Sequence, residues 1–179
     1  MASIRVAERY SKSLLDLAVE TGNIDQVYDD MLQFKDALKS RDLVNLLKSP
    51  IIRRDKKLDI VQKLFDKKMQ PLTMKFFEVV IRKDREEVLP DIADAFFDQY
   101  YEHKGITLVR VISAKELDGA TLKNIEKKLL DSGTTRSQVE LQTIVDPGLL
   151  GGFVLEYDNK KYDVSVRNQL INLRKRLVN

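Results

Sequence analysis

A chain of 179 residues, 43% hydrophobic and 33% charged, has room for one medium or two small soluble domains, and none of its apolar runs approaches the length of a membrane span. It has no cysteine and a single histidine, His103, which excludes disulfides, thiolate chemistry and a histidine-based metal cluster. The net charge of +3 is unevenly placed: residues 1–105 carry 19 Lys/Arg and 19 Asp/Glu, whereas residues 106–179 carry 12 and 9.

The first residues, Met1 to Tyr10, show neither the apolar region of a signal peptide nor a Ser- and Arg-rich transit stretch, which points to a bacterial protein made where it works. Helical periodicity follows. Ile4 to Glu20 reads as one helix stopped by Gly22, and Asp25 to Ser40 as a second with Val27, Met31, Phe34 and Leu38 on one face. Asp42 to Lys48 is a short helix ending before Pro50, and Arg54 to Asp66 carries Leu58, Val61, Leu64 and Phe65. Pro71 to Arg82 opens on a proline tolerated in a first turn, and Glu86 to Tyr101 contains an early Pro90. Six helices with short connections predict a compact bundle.

After Gly105 the period changes. Ile106 to Ser113 is β-branched and reads as a strand, Asp118 to Asp131 as a helix, and Gln138 to Val145 as a second strand. Residues 152–157 and 160–164 form a hairpin about Asp158-Asn159. Ser165 caps a final helix whose narrow stripe of Val166, Leu170, Leu173 and Leu177 is expected to face inward. The predicted fold is mainly α with a small α+β part: a six-helix bundle over residues 1–105, then a small α+β domain over 106–179.

Two helices carry more apolar surface than a one-sided helix needs. The first is apolar over roughly 180°, from Val6 through Leu17, Tyr10, Leu14, Ala7 and Ala18 to Leu15, and the fifth over roughly 220°, including Leu72, Met74, Phe76, Phe77, Val79, Val80 and Ile81, against the ~100° stripe of a surface helix. One account is a pair of helices surrounded by their own bundle; the other is a groove between them that accepts a partner's amphipathic helix. On the final helix, Ile171 and Val178 lie opposite the apolar stripe, flanked by Arg167, Arg174 and Lys175. That pattern fits a docking surface, an ordinary scatter of exposed apolar residues, or, with the other cations near the end, a nucleic-acid contact. The cations also suit the C-terminal end of a solvated helix.

The densest signal is Asp146-Pro147-Gly148-Leu149-Leu150-Gly151-Gly152-Phe153-Val154, followed by Asp163-Val164-Ser165-Val166-Arg167. A proline turn, paired glycines permitting close approach, an alternating strand and a capped helix follow in tight order. It is not a phosphate loop, because it lacks both the Gly-Lys-Ser/Thr ending and the G-x-G-x-x-G spacing. Asp146 and Asp163 could form a carboxylate pair; their turn and strand-end positions favour hydrogen bonds to backbone N–H groups instead. No catalytic residues and no metal or cofactor site are assigned.

The segment Val145 to Leu173 resembles the C-terminal signature of the delta subunit of F-type ATP synthase, whose mitochondrial relative is the oligomycin-sensitivity-conferring protein. The matching residues are Asp146, Pro147, Leu149, Leu150, Gly151, Gly152, Phe153, Val154, Asp163, Ser165, Val166, Arg167 and Leu170. Ala7-Glu8-Arg9-Tyr10-Ser11-Lys12-Ser13-Leu14 is similar to the family's opening helix, and Leu47-Lys48-Ser49-Pro50 and Leu89-Pro90-Asp91-Ile92 also fit. Gly148 stands where the family usually has serine, Val164 where it has glycine, and Lys83-Asp84 where Asn-Gly is common. The resemblance implies a stator subunit without enzymatic activity, cofactor, nucleic acid or small-molecule ligand. Its N-terminal domain would sit on the catalytic head and bind the N-terminal helix of an alpha subunit through Ala7, Tyr10, Leu14, Phe76, Phe77 and Val80. Its C-terminal domain would hold the C-terminus of the stalk's b subunit through Arg167, Ile171 and Arg174. Asp146, Pro147, Gly151, Gly152, Phe153, Asp163 and Ser165 would be the architectural signature. The location implied is peripheral, on the cytoplasmic face of a bacterial plasma membrane. The rival readings are an RNA- or DNA-binding helical module and an enzyme built on Asp146 or Asp163.

Overall fold

A computed structural model describes residues 2–65, 68–133, 135–158 and 160–178 of the chain. The protein is mainly helical with a small sheet in its C-terminal part. It divides into two compact units between Tyr100 and Tyr101. The boundary thus falls inside the last turns of a helix, a few residues before Gly105.

The first unit comprises α1 (Ala2–Glu20), α2 (Ile24–Ala37), α3 (Arg41–Lys48), α4 (Arg54–Phe65), α5 (Pro71–Arg82), a 3-10 turn (Glu86–Val88) and most of α6 (Leu89–Lys104). The expected last residue of α4, Asp66, lies outside the described residues. The periodicity predicts a single helix from Glu86; the structure instead places a 3-10 turn there and starts α6 at Leu89, so that Pro90 occupies a first-turn position where its missing N–H costs nothing. α2 stops short of Ser40 because its end tightens: Lys39 and Ser40 donate to carbonyls three residues back, those of Asp36 and Ala37. At the Lys83-Asp84 departure, Asp84 takes φ of +53°, a left-handed backbone that Asp tolerates better than most side chains.

The core of this unit is aromatic. Phe34 of α2 lies 4.7 Å from Phe77 of α5 and 5.8 Å from Phe65 of α4, centroid to centroid. Ala7, Leu14 and Ala18 of α1, Val80 and Ile81 of α5 and Phe96 of α6 complete it, all buried. Two charged side chains are drawn inside. Asp30 accepts hydrogen bonds from the Gln70 N–H at 2.9 Å and the Thr73 hydroxyl at 2.5 Å, which ties α2 to the N-terminus of α5, where a carboxylate is favoured. Lys57, 2% exposed, donates to Glu86 Oε1 at 2.6 Å and to the Leu47 carbonyl at the end of α3 at 3.0 Å.

The second unit contains β1 (Ile106–Ser113), α7 (Gly119–Asp131), β2 (Gln138–Val145), a 3-10 turn (Pro147–Leu149), β3 (Phe153–Tyr157), β4 (Lys160–Asp163) and α8 (Val166–Val178). The sheet order is β2-β1-β3-β4, with β1 parallel to β2 and β3 antiparallel to both β1 and β4. A parallel pair needs a crossover, which α7 supplies, capped at its start by Asp118 accepting from the Thr121 N–H at 3.3 Å. Val109, Val111, Ile125, Leu129 and Tyr157 make the core. Asn159, in the expected hairpin turn, lies outside the described residues.

Candidate functional site

The apolar surplus of α1 and α5 divides in two once the unit is folded. Ala7, Leu14, Phe77 and Val80 are interior residues, so the bundle itself consumes that part of both arcs. What remains outside is a narrower strip on each helix. Spacings of four, three and four residues put Val6, Tyr10, Ser13 and Leu17 on one face of α1; Leu72, Phe76 and Val79 share one face of α5. Tyr10 and Phe76 join the strips edge to face, with ring centroids 6.4 Å apart. Leu17 is 46% and Val79 50% exposed. Of the six residues expected at a helix-binding groove, the structure brings Tyr10 and Phe76 together at the surface and places the other four beneath it. Leu17, Leu72 and Val79 belong to the apolar arcs without being among those six, and counting apolar arc does not tell which of its residues the neighbours cover.

In the second unit the signature residues assemble a rigid corner. Asp146 Oδ1 accepts from the Gly148 N–H at 2.9 Å, and Asp146 N–H donates to the Ser113 carbonyl at 2.8 Å, which pins the 3-10 turn begun by Pro147 to the end of β1. Gly152 has φ of +74°, and a Cβ there would stand 2.4 Å from the Val164 carbonyl oxygen. The Val166 N–H donates to the Gly151 carbonyl at 3.0 Å, so the paired glycines lie against the strand end and the helix start. Phe153 packs onto the sheet core. Asp163 Oδ1 accepts from the Ser165 N–H at 3.0 Å and hydroxyl at 2.6 Å, and these bonds hold its carboxyl below the ordinary value of 3.8. Ser165 Oγ in turn accepts from the Asn168 N–H at 3.2 Å, capping α8. Asp146 and Asp163 are thus both engaged with backbone N–H groups.

α8 does not bury its expected inner stripe. Arg167, Asn168 and Ile171 line a cleft of about 350 Å³ together with Ile112, Leu149 and Val154 of the unit's body. Val166, Leu170 and Leu173 are exposed, and so is Ile171. Among the described side chains of α8 only Asn168 is half-buried, and Arg167 and Arg174 are exposed. Leu177 has no described side chain.

Among the described residues no cluster of His, Asp or Glu is placed to hold a metal, and no helix is long and apolar enough to cross a membrane. The arrangement offers two apolar surfaces on well-tied scaffolds.

Over residues 6–177 the chain matches the family model described as ATP synthase delta (OSCP) subunit. It is 36% identical over 178 residues to the ATP synthase subunit delta of Amoebophilus asiaticus, covering 97% of this chain and 95% of that one. It is 35% identical over 176 residues to the protein of the same name from Carboxydothermus hydrogenoformans, covering 98% of both. Its fold is similar to a chain in the cryo-EM structure of the Toxoplasma gondii mitochondrial ATP synthase hexamer, with a TM-score of 0.75, 22% identity and 97% of each chain covered.

Proposed function

The chain belongs to the ATP synthase delta (OSCP) subunit family, and from that premise we propose that it is a non-catalytic peripheral-stalk subunit tethering the catalytic alpha/beta head to the b subunits against rotational torque. The first unit, on this reading, binds the N-terminal helix of an alpha subunit. The second holds the C-terminus of b, and the assembly sits peripherally on the cytoplasmic face of a bacterial membrane. A tether needs slow dissociation rather than chemistry, and buried apolar contacts supply it. The observation that carries the reading is the strip on α1 and α5: Leu17 and Val79 are exposed, and Tyr10 and Phe76, joined edge to face between them, are only half-buried. Helical spacing on both strips suits an amphipathic helix laid between them. The family result gives the nucleic-acid reading no support, and the basic C-terminal end has a place in the stalk contact instead.

The test is titration calorimetry of the full chain with a peptide of the alpha subunit's N-terminal helix. Tyr10→Asp and Val79→Asp should each weaken binding by at least an order of magnitude, since a carboxylate desolvated in an apolar groove costs several kcal/mol. Melting should stay close to wild type, because both side chains are partly solvated in the free chain. Unchanged affinity in both variants would place the alpha contact elsewhere.

A further inference from the structure

The start of α5 is tied from outside the helix. Its N-cap residue, Gln70, makes no side-chain hydrogen bond to the first turn, and Pro71 brings no N–H there. The partner comes from α2. Asp30, 4% exposed, accepts from the Gln70 N–H at 2.9 Å and from the Thr73 hydroxyl at 2.5 Å, both through Oδ2. Gln70 is the N-cap and Thr73 stands three residues into the helix, the two positions that a capping box joins within a single helix. Here the carboxylate that closes the box belongs to another helix, 40 residues from Gln70 in the chain.

This grip supplies what apolar packing lacks. Burial is non-directional, so Phe77, Val80 and Ile81 hold α5 in the core while defining its rotation and height less sharply than hydrogen bonds do. At the other end of α5 the tie to a neighbouring helix, Arg54 Nη1 to the Arg82 carbonyl at 3.3 Å, is exposed. Thr73 shares the buried face with Phe77 and Val80. At 100° per residue, Phe76, Leu72 and Val79 follow roughly 60°, 100° and 120° round to one side of it. The strip is thus carried at a fixed angle from the residue that Asp30 grips. With its side chains a helix is ~5–6 Å in radius, so a rotation of about 20° moves a strip side chain by about 2 Å. A binding constellation has to be held within about 0.5 Å.

We infer that Asp30 and Thr73 are the positioning residues of the groove between α1 and α5. From α2 they set the rotation and axial height of α5, and so the angle at which Leu72, Phe76 and Val79 meet Tyr10 and an incoming helix. The inference rests on the reading that this groove binds the N-terminal helix of an alpha subunit. It adds the element that governs the groove's shape: a buried carboxylate on a helix that contributes no residue to either strip. Both side chains are buried beneath the surface that the incoming helix would cover, so they act through α5. The edge-to-face contact of Tyr10 and Phe76, with centroids 6.4 Å apart, reports the setting.

The full chain is titrated by calorimetry with a peptide of the alpha subunit's N-terminal helix from the same organism, at a temperature where the variants are folded. The contact between the Tyr10 and Phe76 rings is followed by nuclear Overhauser effects. Thr73→Val is the decisive variant, because it keeps the branched shape and removes the hydroxyl. It should stay folded, bind about fivefold more weakly and show a weaker ring contact. Thr73→Ser, which retains a hydroxyl, should bind as wild type does. Asp30→Ala removes both bonds and should bind at least about tenfold more weakly; if it does not fold, the two Thr73 variants decide the question alone. No binding by wild type would overturn the alpha-helix reading and this inference with it. Wild-type affinity in Thr73→Val and Asp30→Ala, with only the melting temperature lowered, would make the grip purely structural and overturn the inference while the alpha-helix reading stands. Thr73→Ser binding as weakly as Thr73→Val would also overturn it, because the hydroxyl would then not be the group that acts.

Discussion

The two units handle an apolar helix in opposite ways. In the first, α5 is enclosed on several sides: it touches α1, α2 and α4, and Phe77, Val80 and Ile81 vanish into a core of tilted and edge-on rings. In the second, no described side chain of α8 is buried, and Val166, Leu170, Ile171 and Leu173 are all exposed. Both helices carry a regular apolar stripe. Such a stripe reports that something will cover the helix; whether that is the same chain or another depends on how many neighbours the fold supplies.

Perturbations of decreasing size sharpen this contrast. Phe77→Ala should destabilise the first unit by about 3–5 kcal/mol, the cost of a large cavity in a packed core, read as a drop in the urea midpoint. A loss below about 1 kcal/mol would mean that this core is far looser than its ring distances suggest. Lys57→Met should cost about 3 kcal/mol, because Glu86 would keep a buried charge whose second oxygen already has no partner among the described residues. Lys57→Met/Glu86→Leu should recover most of that loss, and a double variant as unstable as the single would show that the pair itself is the stabilising element. Gly152→Val should cost about 2–3 kcal/mol in the second unit, combining a left-handed backbone with a carbonyl oxygen inside contact distance. Nuclear magnetic resonance shifts confined to residues beyond Tyr101 would locate the damage.

The Asp163 clasp should give a smaller, pH-dependent effect. Its carboxyl is held below 3.8 by the Ser165 bonds, so the folded state binds its proton more weakly than the unfolded chain does. That contribution is present above the unfolded value and is lost as pH falls through the lower folded one. Wild type should therefore lose more stability than Asp163→Asn as pH falls below about 5, by less than about 1 kcal/mol because the group is largely solvated. Parallel pH curves for the two proteins would remove the clasp from the account. Smallest of all, Leu173→Ser on α8 should change stability by no more than about 0.5 kcal/mol, although Phe77 and Leu173 both belong to apolar stripes in the sequence. A large loss there would show that α8 is covered within the chain after all.

Local chemistry alone determined the positions of the elements. Helix and strand periods, Gly22, Pro71, Pro90 and the β-branched run at Ile106 depend on neighbours in sequence, and the boundaries they mark agree with the observed elements within a few residues. The corner built from Asp146, Gly152, Asp163 and Ser165 was legible for the same reason: turn, cap and positive φ are short-range requirements that few residue types satisfy. What surrounds each helix was decided only by the tertiary structure. Nothing in the composition separates Asp30 and Lys57 from the other charges of their helices, and only Thr73 and Glu86, distant in sequence, draw them inside. Tyr10 and Ala7 belong to one apolar arc, and only the placement of α2 and α5 makes one surface and the other core. The α8 stripe is apolar in the sequence whether or not it is covered, and only the fold shows it exposed. Apolar periodicity encodes a direction relative to the helix axis, whereas burial depends on long-range packing, and that information resides in the fold.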